Sequence, residues 1–344
     1  MNTEKKNQHY LPKFYLRNFS NKKNLKQIGL YNLNNKVYCK TAKLKTQGSK
    51  NFFYGHDGVI EDALADIEGK LSKVIKQVLN NNLPQKETTD YFHLLNFVIL
   101  TYLRNPIAIE SVKISNRRMR EEFLRKMPKE MPKEKIDEAF PSIEHSSAIS
   151  IALSQLKNVM SMATDLEYKL LINKTNTPFI ASDSPVVRYN QHLEEQKHYR
   201  GKAGFGSLGL QIFIPLNPDV TIMFYDSKIY RVGDKKKKYL EIKDVESINQ
   251  LNLLQVLNCT DTLFFNENVS EYYVRKLVEL SNKFQKGNQL NVKSFGNIVM
   301  SQTICSEIKL KILGVKKLSG VNLIELNKSQ IQMRPLARKL MERR

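Results

Sequence analysis

A histidine and an arginine carried by one short segment, beside aromatic side chains that can anchor it, are parts of phosphodiester chemistry. The segment His9-Tyr10-Leu11-Pro12-Lys13-Phe14-Tyr15-Leu16-Arg17-Asn18-Phe19 supplies them. An unperturbed imidazole titrates near neutrality, so His9 is the candidate proton-transfer group. Arg17 and Arg104 are the candidates for clamping phosphate oxygens bidentately and for stabilising the charge that develops on a phosphorane. Glu61 and Asp183 complete the set, either orienting the imidazole or holding a metal. The cofactor stays open, with a divalent metal as one option. Each residue also has a plainer reading: a capping or buried imidazole for His9, an ion pair with Glu61 or Asp183 for Arg17, an Asx-turn after a strand for Asp183. Glu61 and Glu68 share one edge of a long helix, but seven residues at ~1.5 Å each set them ~10 Å apart, too far to chelate one ion.

The motifs of better-known chemistries are missing. The chain has no GxxxxGK[ST], no HExxH and no zinc-finger spacing. Gly204-Phe-Gly206-Ser-Leu-Gly209 matches GxGxxG, but a β-like run over Leu208 to Pro215 follows it where a dinucleotide site needs a helix, so it reads as a flexible turn. The Arg-x4–6-His arrangement of some toxin ribonucleases is absent, Arg188 and His192 having three residues between them.

Across 344 residues, 55 Lys and Arg face 34 Asp and Glu, leaving a formal charge of +21. Such an excess favours a polyanion as partner, nucleic acid before an anionic membrane. Arg117 and Arg118, with Lys235, Lys236, Lys237 and Lys238, are the candidate nucleic-acid contacts, against the plainer reading of a solvated face. Three widely spaced cysteines, Cys39, Cys259 and Cys305, read as reduced thiols, and the longest apolar runs fall far short of the ~20 residues a bilayer needs. These observations lead to the expectation of a cytoplasmic protein without a membrane span; a protein partner and the oligomeric state stay open.

The elements that must position these residues follow from periodicity. Pro12 stands where a helix accepts proline, and Tyr15, Leu16 and Phe19 fall on one apolar side of the turn that follows. Short β-like runs cover Ile28 to Leu33, Lys36 to Thr41 and Asn51 to Tyr54. The spacing of Ile60, Leu64, Ile67, Leu71, Val74 and Val78 predicts an amphipathic helix from Gly58 to about Asn80. A second helix starts at Thr88-Thr89-Asp90 and is stopped by Asn105-Pro106. Residues 107 to 163 read as helical, interrupted by the duplicated Met-Pro-Lys-Glu of 127 to 134. From Glu167 onward strand-like runs dominate, with helices returning at Val245 to Leu257 and Glu271 to Phe284. The expected fold is therefore α+β, a helix-rich N-terminal half packed on a mixed or antiparallel sheet from the C-terminal half. The expected organisation is a core over residues 1–285 and a basic C-terminal appendage over 286–344, packed on or beside it.

The segment from His9 to Phe19 resembles the His-Tyr-x-Pro-x-Phe-Tyr-Leu-Arg-Asn-Phe opening of domain-of-unknown-function family 4238. The likeness continues through Phe53-Tyr54, Glu61, Arg104-Asn-Pro106 and Ser182-Asp183-Ser-Pro185, and covers about residues 8 to 285. The resemblance implies which residues matter and brings no mechanism. The resulting expectation is a nucleic-acid-acting protein, most concretely a nuclease preferring RNA, with a bacterial defence or toxin role. The alternative is a non-catalytic nucleic-acid-binding or sensing module, whose polar set is a structural ion network. A transferase acting on a phosphorylated small molecule is the third class.

Overall fold

The computed structural model describes residues 6–126, 132, 134–135, 138, 141, 143–194, 203–287, 289–295, 298–318 and 333–342. Strand β1 (Asn7–His9) leads into α1 (Lys13–Arg17), which buries Tyr15, Leu16 and the following Phe19 completely, as their spacing predicts. Strands β2 (Ser20–Asn21), β3 (Asn24–Asn32) and β4 (Tyr38–Lys43) form a ribbon, and β5 (Ser49–Asn51) returns antiparallel to β1. The turn before β5 presses on α1 so closely that a Cβ on Gly48 would lie 2.8 Å from the Leu11 Cβ, and its φ of +62° suits glycine for the same position.

Three long helices follow. The amphipathic α2 (Val59–Leu79) buries Leu64, Leu71, Val74, Ile75 and Val78. Helix α3 (Thr89–Leu103) is capped by the Thr88 hydroxyl, which accepts from the Tyr91 amide, and is buried on more than one face. Helix α4 (Pro106–Lys126) leaves α3 at a bend of 58°. Pro106 thus ends one helix and opens the next, because its missing N–H costs nothing in a first turn. Two shorter helices, α5 (His145–Ser154) and α6 (Leu156–Ala163), pack against α4 and α3. The duplicated tetrapeptide falls mostly outside the described residues. Among those described, no single helix is long and apolar enough to cross a membrane.

The second half supplies β6 (Glu167–Asn173), β7 (Ala181–Ser182), β8 (Val187–Tyr189), α7 (Gln191–Glu194), β9 (Gln211–Asn217), β10 (Val220–Tyr225), β11 (Tyr230–Val232), β12 (Tyr239–Ile242), α8 (Val245–Asn258), β13 (Thr262–Phe265) and α9 (Glu271–Ser281). A five-stranded sheet runs β12-β6-β10-β9-β8, antiparallel except where β12 joins β6. Its period of two divides the core: Ile212, Ile214, Ile222 and Phe224 face the cluster built with α2, α3, α5 and α6, while Phe213, Met223 and Tyr225 face the one built with α8 and α9. Burial on both faces explains why β9 and β10 read as continuous apolar runs. The second large sheet, β2-β3-β13-β7 with β4 on β3, joins strands from both halves of the chain. The fold is α+β, with strands and helices interleaved and sheet strands contributed by both halves.

The C-terminal segment adds the hairpin β14 (Gln289–Phe295) and β15 (Ile298–Ile304), β16 (Val315–Lys317) paired to β11, and α10 (Pro335–Glu342). Ile308, Leu310 and Ile312 enter the second core cluster. Arg334, 2% exposed, meets Asp165 at 2.9 Å and donates to the carbonyls of Ser207, Phe205 and Met162. This fixes the role of the GxGxxG turn. Its carbonyls hold Arg334, and a Cβ on Gly206 would sit 2.9 Å from the Ala337 Cβ, so the glycine lets α10 approach rather than a phosphate.

Candidate functional site

Burying a guanidinium requires that its charge and its donors be met. Arg104, the residue that ends α3, is 1% exposed, and its Nη1 lies 2.8 Å from Glu68 Oε1. Its Nε donates to the Tyr10 carbonyl at 2.7 Å and its Nη2 to the His9 carbonyl at 3.0 Å. The next residue, Asn105, donates from Nδ2 to the Asp183 carbonyl at 2.6 Å. The Asp183 carboxylate accepts from the backbone amides of Thr260, Asp261 and Thr262 at 2.9, 2.8 and 3.1 Å and from the Thr260 hydroxyl at 2.5 Å. Tyr54 closes the circuit by donating its hydroxyl to the His9 carbonyl at 3.2 Å and its amide to Gln8 Oε1 at 2.5 Å. The segments around His9, Tyr54, Arg104 and Asp183, far apart in sequence, are therefore one hydrogen-bonded assembly.

His9 is nearly buried, and its Nε2 stands 3.2 Å from the Lys45 carbonyl, to which the neutral ring donates. Burial, reinforced by the Lys13 and Arg104 charges and opposed by the Lys45 carbonyl, lowers its pKa to about 4. The titration near neutrality expected from the sequence is thus displaced into the acid range, because burial first and the neighbouring cations second disfavour the imidazolium. The linkage has a definite sign. With an unfolded value of about 6.5, the unfolded chain takes up this proton first as pH falls, so the contribution is complete above about pH 6.5 and is lost through about pH 4. Wild-type Tm should fall over that window, and His9→Gln, whose amide still reaches the Lys45 carbonyl, should fall less. Parallel Tm profiles for the two proteins would remove His9 as the source.

Arg17 does not join this assembly. It is exposed and makes no ion pair among the described residues, with neither Glu61 nor Asp183. Together with Lys13, Lys26, Lys43 and Lys45 it lines a depression of about 580 Å³ whose lining contains no carboxylate. The signal for this face is in the sequence but not in any motif: no Asp or Glu occurs between Glu4 and Asp57, while twelve Lys and Arg do. His9 and the basic face are joined through Lys45, whose carbonyl receives the imidazole and whose side chain belongs to the face.

Glu61, in the first turn of α2, lies near Tyr54 and helps to raise its pKa, which burial pushes up to about 12. Glu68, two turns further along α2, pairs with Arg104. Among the described residues, no group of three or more His, Cys, Asp and Glu side chains is placed to hold a metal ion. Arg117 is exposed on α4, and Arg118 lines a separate cleft. Lys235, Lys236 and Lys237 are exposed in the loop between β11 and β12, while Lys238 is half-buried, its Nζ 5.1 Å from the Tyr168 ring centroid. Lys169 holds that loop by donating to the Asp234 carbonyl.

The cleft lined by Arg118 has a volume of about 920 Å³ and lies against the bracing assembly, with Tyr10, Phe53, Pro106 and Asp183 in its wall. Reasoning from sequence missed His145, Asp261 and the role of Tyr10 here. They occupy unrelated segments with no shared spacing, and only the bend at Pro106 and the β13 turn bring them to one place.

The class so defined is an α+β protein with a braced cleft and a separate basic depression whose described lining holds no carboxylate. The chain belongs to the family DUF4238, proteins of unknown function, whose model matches residues 7–268. All the segments of the bracing assembly lie inside that match, and β14 to α10 lie beyond it. No curated protein and no solved structure matches the chain.

Proposed function

We propose that this chain is a nucleic-acid-binding protein whose docking face is the depression formed by α1, the start of β3, the end of β4 and the turn after it. The observation that carries this reading is the clustering of Lys13, Arg17, Lys26, Lys43 and Lys45 without a lining carboxylate. Surface cations are ordinarily interspersed with acids, and an unneutralised cluster on a firm scaffold is what phosphate contacts require. Arg17 offers a guanidinium fork for bidentate phosphate contact, and the four lysines act as point charges around it. Geometry favours binding over cleavage centred on His9. The imidazole is neutral and committed to Lys45, Arg104 is engaged with Glu68 and two carbonyls, and Asp183 is engaged with three amides and a hydroxyl. In this reading the polar set braces the face rather than reacting.

The test is fluorescence polarisation with labelled single-stranded RNA and DNA at low salt, using the whole chain and the variant Lys13→Gln/Arg17→Gln/Lys26→Gln. All three replaced side chains are exposed, so folding should be unaffected. Binding by the parent and its loss in the variant are expected; undiminished binding by the variant would place the contact elsewhere.

A further inference from the structure

Between the hairpin of β14 and β15 and the strand β16, the chain runs past β8, α7 and α8. Residues 305–312 are neither helix nor strand, yet their burial alternates. Ile308, Leu310 and Ile312 are buried in the cluster that holds Val187, Tyr189, Ile248 and Leu251, while Lys309, Lys311 and Leu313 are exposed. A period of two is that of an extended peptide lying along a surface.

An extended segment inside a protein ordinarily pairs its amides with a neighbouring strand. Here side chains take them. The Tyr189 hydroxyl accepts from the Ile308 and Leu310 amides at 3.0 and 3.3 Å, and Glu194 Oε1 from the Lys309 amide at 2.6 Å. On α8, Gln250 Oε1 accepts from the Lys311 amide at 2.7 Å and Ser247 Oγ from the Leu313 amide at 3.0 Å. Gln191 Nε2 donates to the Leu310 carbonyl at 2.6 Å. The receiving groups are themselves aimed by the scaffold. Tyr189 donates its hydroxyl to Glu194 Oε1 at 2.6 Å, leaving its lone pairs for the two amides. Gln211 Nε2 donates to Gln191 Oε1 at 2.6 Å, which turns the Gln191 amide nitrogen to the segment. Lys309 takes a φ of +54°, a left-handed conformation that a residue other than glycine keeps only where its surroundings impose it. The segment is thus shaped by the groove and not by its own propensity. All the receiving side chains lie within the stretch that the family model matches, and the segment they hold lies beyond it.

We propose that β8, α7 and α8 form a peptide-binding groove whose partner is an extended segment of another protein with apolar residues at alternate positions, and that residues 306–313 fill it in this chain as a tethered stand-in. Side chains that meet backbone amides fix an extended main chain whatever its sequence, and the pockets under alternate residues decide which side chains are accepted. Ile308, Leu310 and Ile312 display that preference. The tether sets the threshold for entry. A covalently linked segment competes at an effective concentration on the order of millimolar, so a partner enters only when the segment lifts. Past Leu313 the chain returns to a backbone ladder, β16 on β11, which anchors the segment at that end. The inference stands independently of the basic face.

The test uses the whole chain and a fluorescent peptide with the sequence of Ser306 to Leu313, blocked at both ends. In hydrogen exchange of the parent, the amides of residues 308–313 should exchange about tenfold or more faster than those of α8, because the segment opens without the core. Ile308→Ser/Ile312→Ser loosens the tethered copy and should raise affinity for the free peptide by about tenfold or more over the parent. Should that variant not fold, Lys311→Pro, which deletes one donated amide at an exposed position, takes its place. Adding Gln250→Ala to the loosened chain should weaken the peptide several-fold, and a peptide carrying serine at the three apolar positions should not bind. Exchange of residues 308–313 only in step with α8 would overturn the proposal. So would a loosened variant that keeps the circular dichroism of the parent and leaves the peptide unbound, or equal binding of the serine-substituted peptide.

Discussion

Asp183→Ala should cost the protein about 3–5 kcal/mol of stability, a large share of the ~5–15 kcal/mol that a folded chain possesses. The reason is not the charge itself but what it satisfies. The amides of Thr260, Asp261 and Thr262 and the Thr260 hydroxyl all point at one carboxylate in a buried turn. Removing it orphans three backbone donors at about 1–3 kcal/mol each, partly recovered if water enters from the cleft. Asp183→Asn should cost less, because the amide oxygen still accepts while the amide nitrogen opposes a donor. Urea unfolding of the three proteins checks this through the shift in Cm at constant m. Binding of nucleic acid by the folded fraction of Asp183→Ala should match the parent. An Asp183→Ala protein as stable as wild type would show that the turn is held by something else, and the bracing account of the motif would fail.

Much of the fold was legible in the sequence because its helices are amphipathic or well capped. The stripe from Leu64 to Val78 and the Thr88 cap needed no tertiary information. The short strands were less legible. Thr262–Phe265 is four residues long and takes its identity from β3 and β7, not from its own period. The candidate site divides in the same way. The motif residues around His9, Arg104 and Asp183 do converge, but their wiring is invisible beforehand, since Arg104 chooses Glu68 and two carbonyls that any sequence would offer. The acid-free stretch after Glu4 was visible as composition, yet whether its cations share a face depends on the ribbon of β3 and β4 folding against α1.

The basic face carries the central claim, and its loss is expected to have the largest effect on function. Each phosphate contact with a single strand releases condensed counterions worth a slope of about −0.7 in log K against log salt, so five contacts predict about −3.5. Between 50 and 200 mM salt the parent should lose about 10²-fold in affinity by the same relation. Lys13→Gln/Arg17→Gln/Lys26→Gln, with three contacts removed, should bind about 10²-fold more weakly at 50 mM and respond less to salt.

The most direct measurement is therefore the salt dependence of binding to one labelled single-stranded RNA, made side by side on the parent and this triple variant. The account predicts a slope near −3.5 for the parent and one shallower by about 2 for the variant. No detectable binding by the parent at 50 mM salt, or the same slope in both proteins, would contradict it.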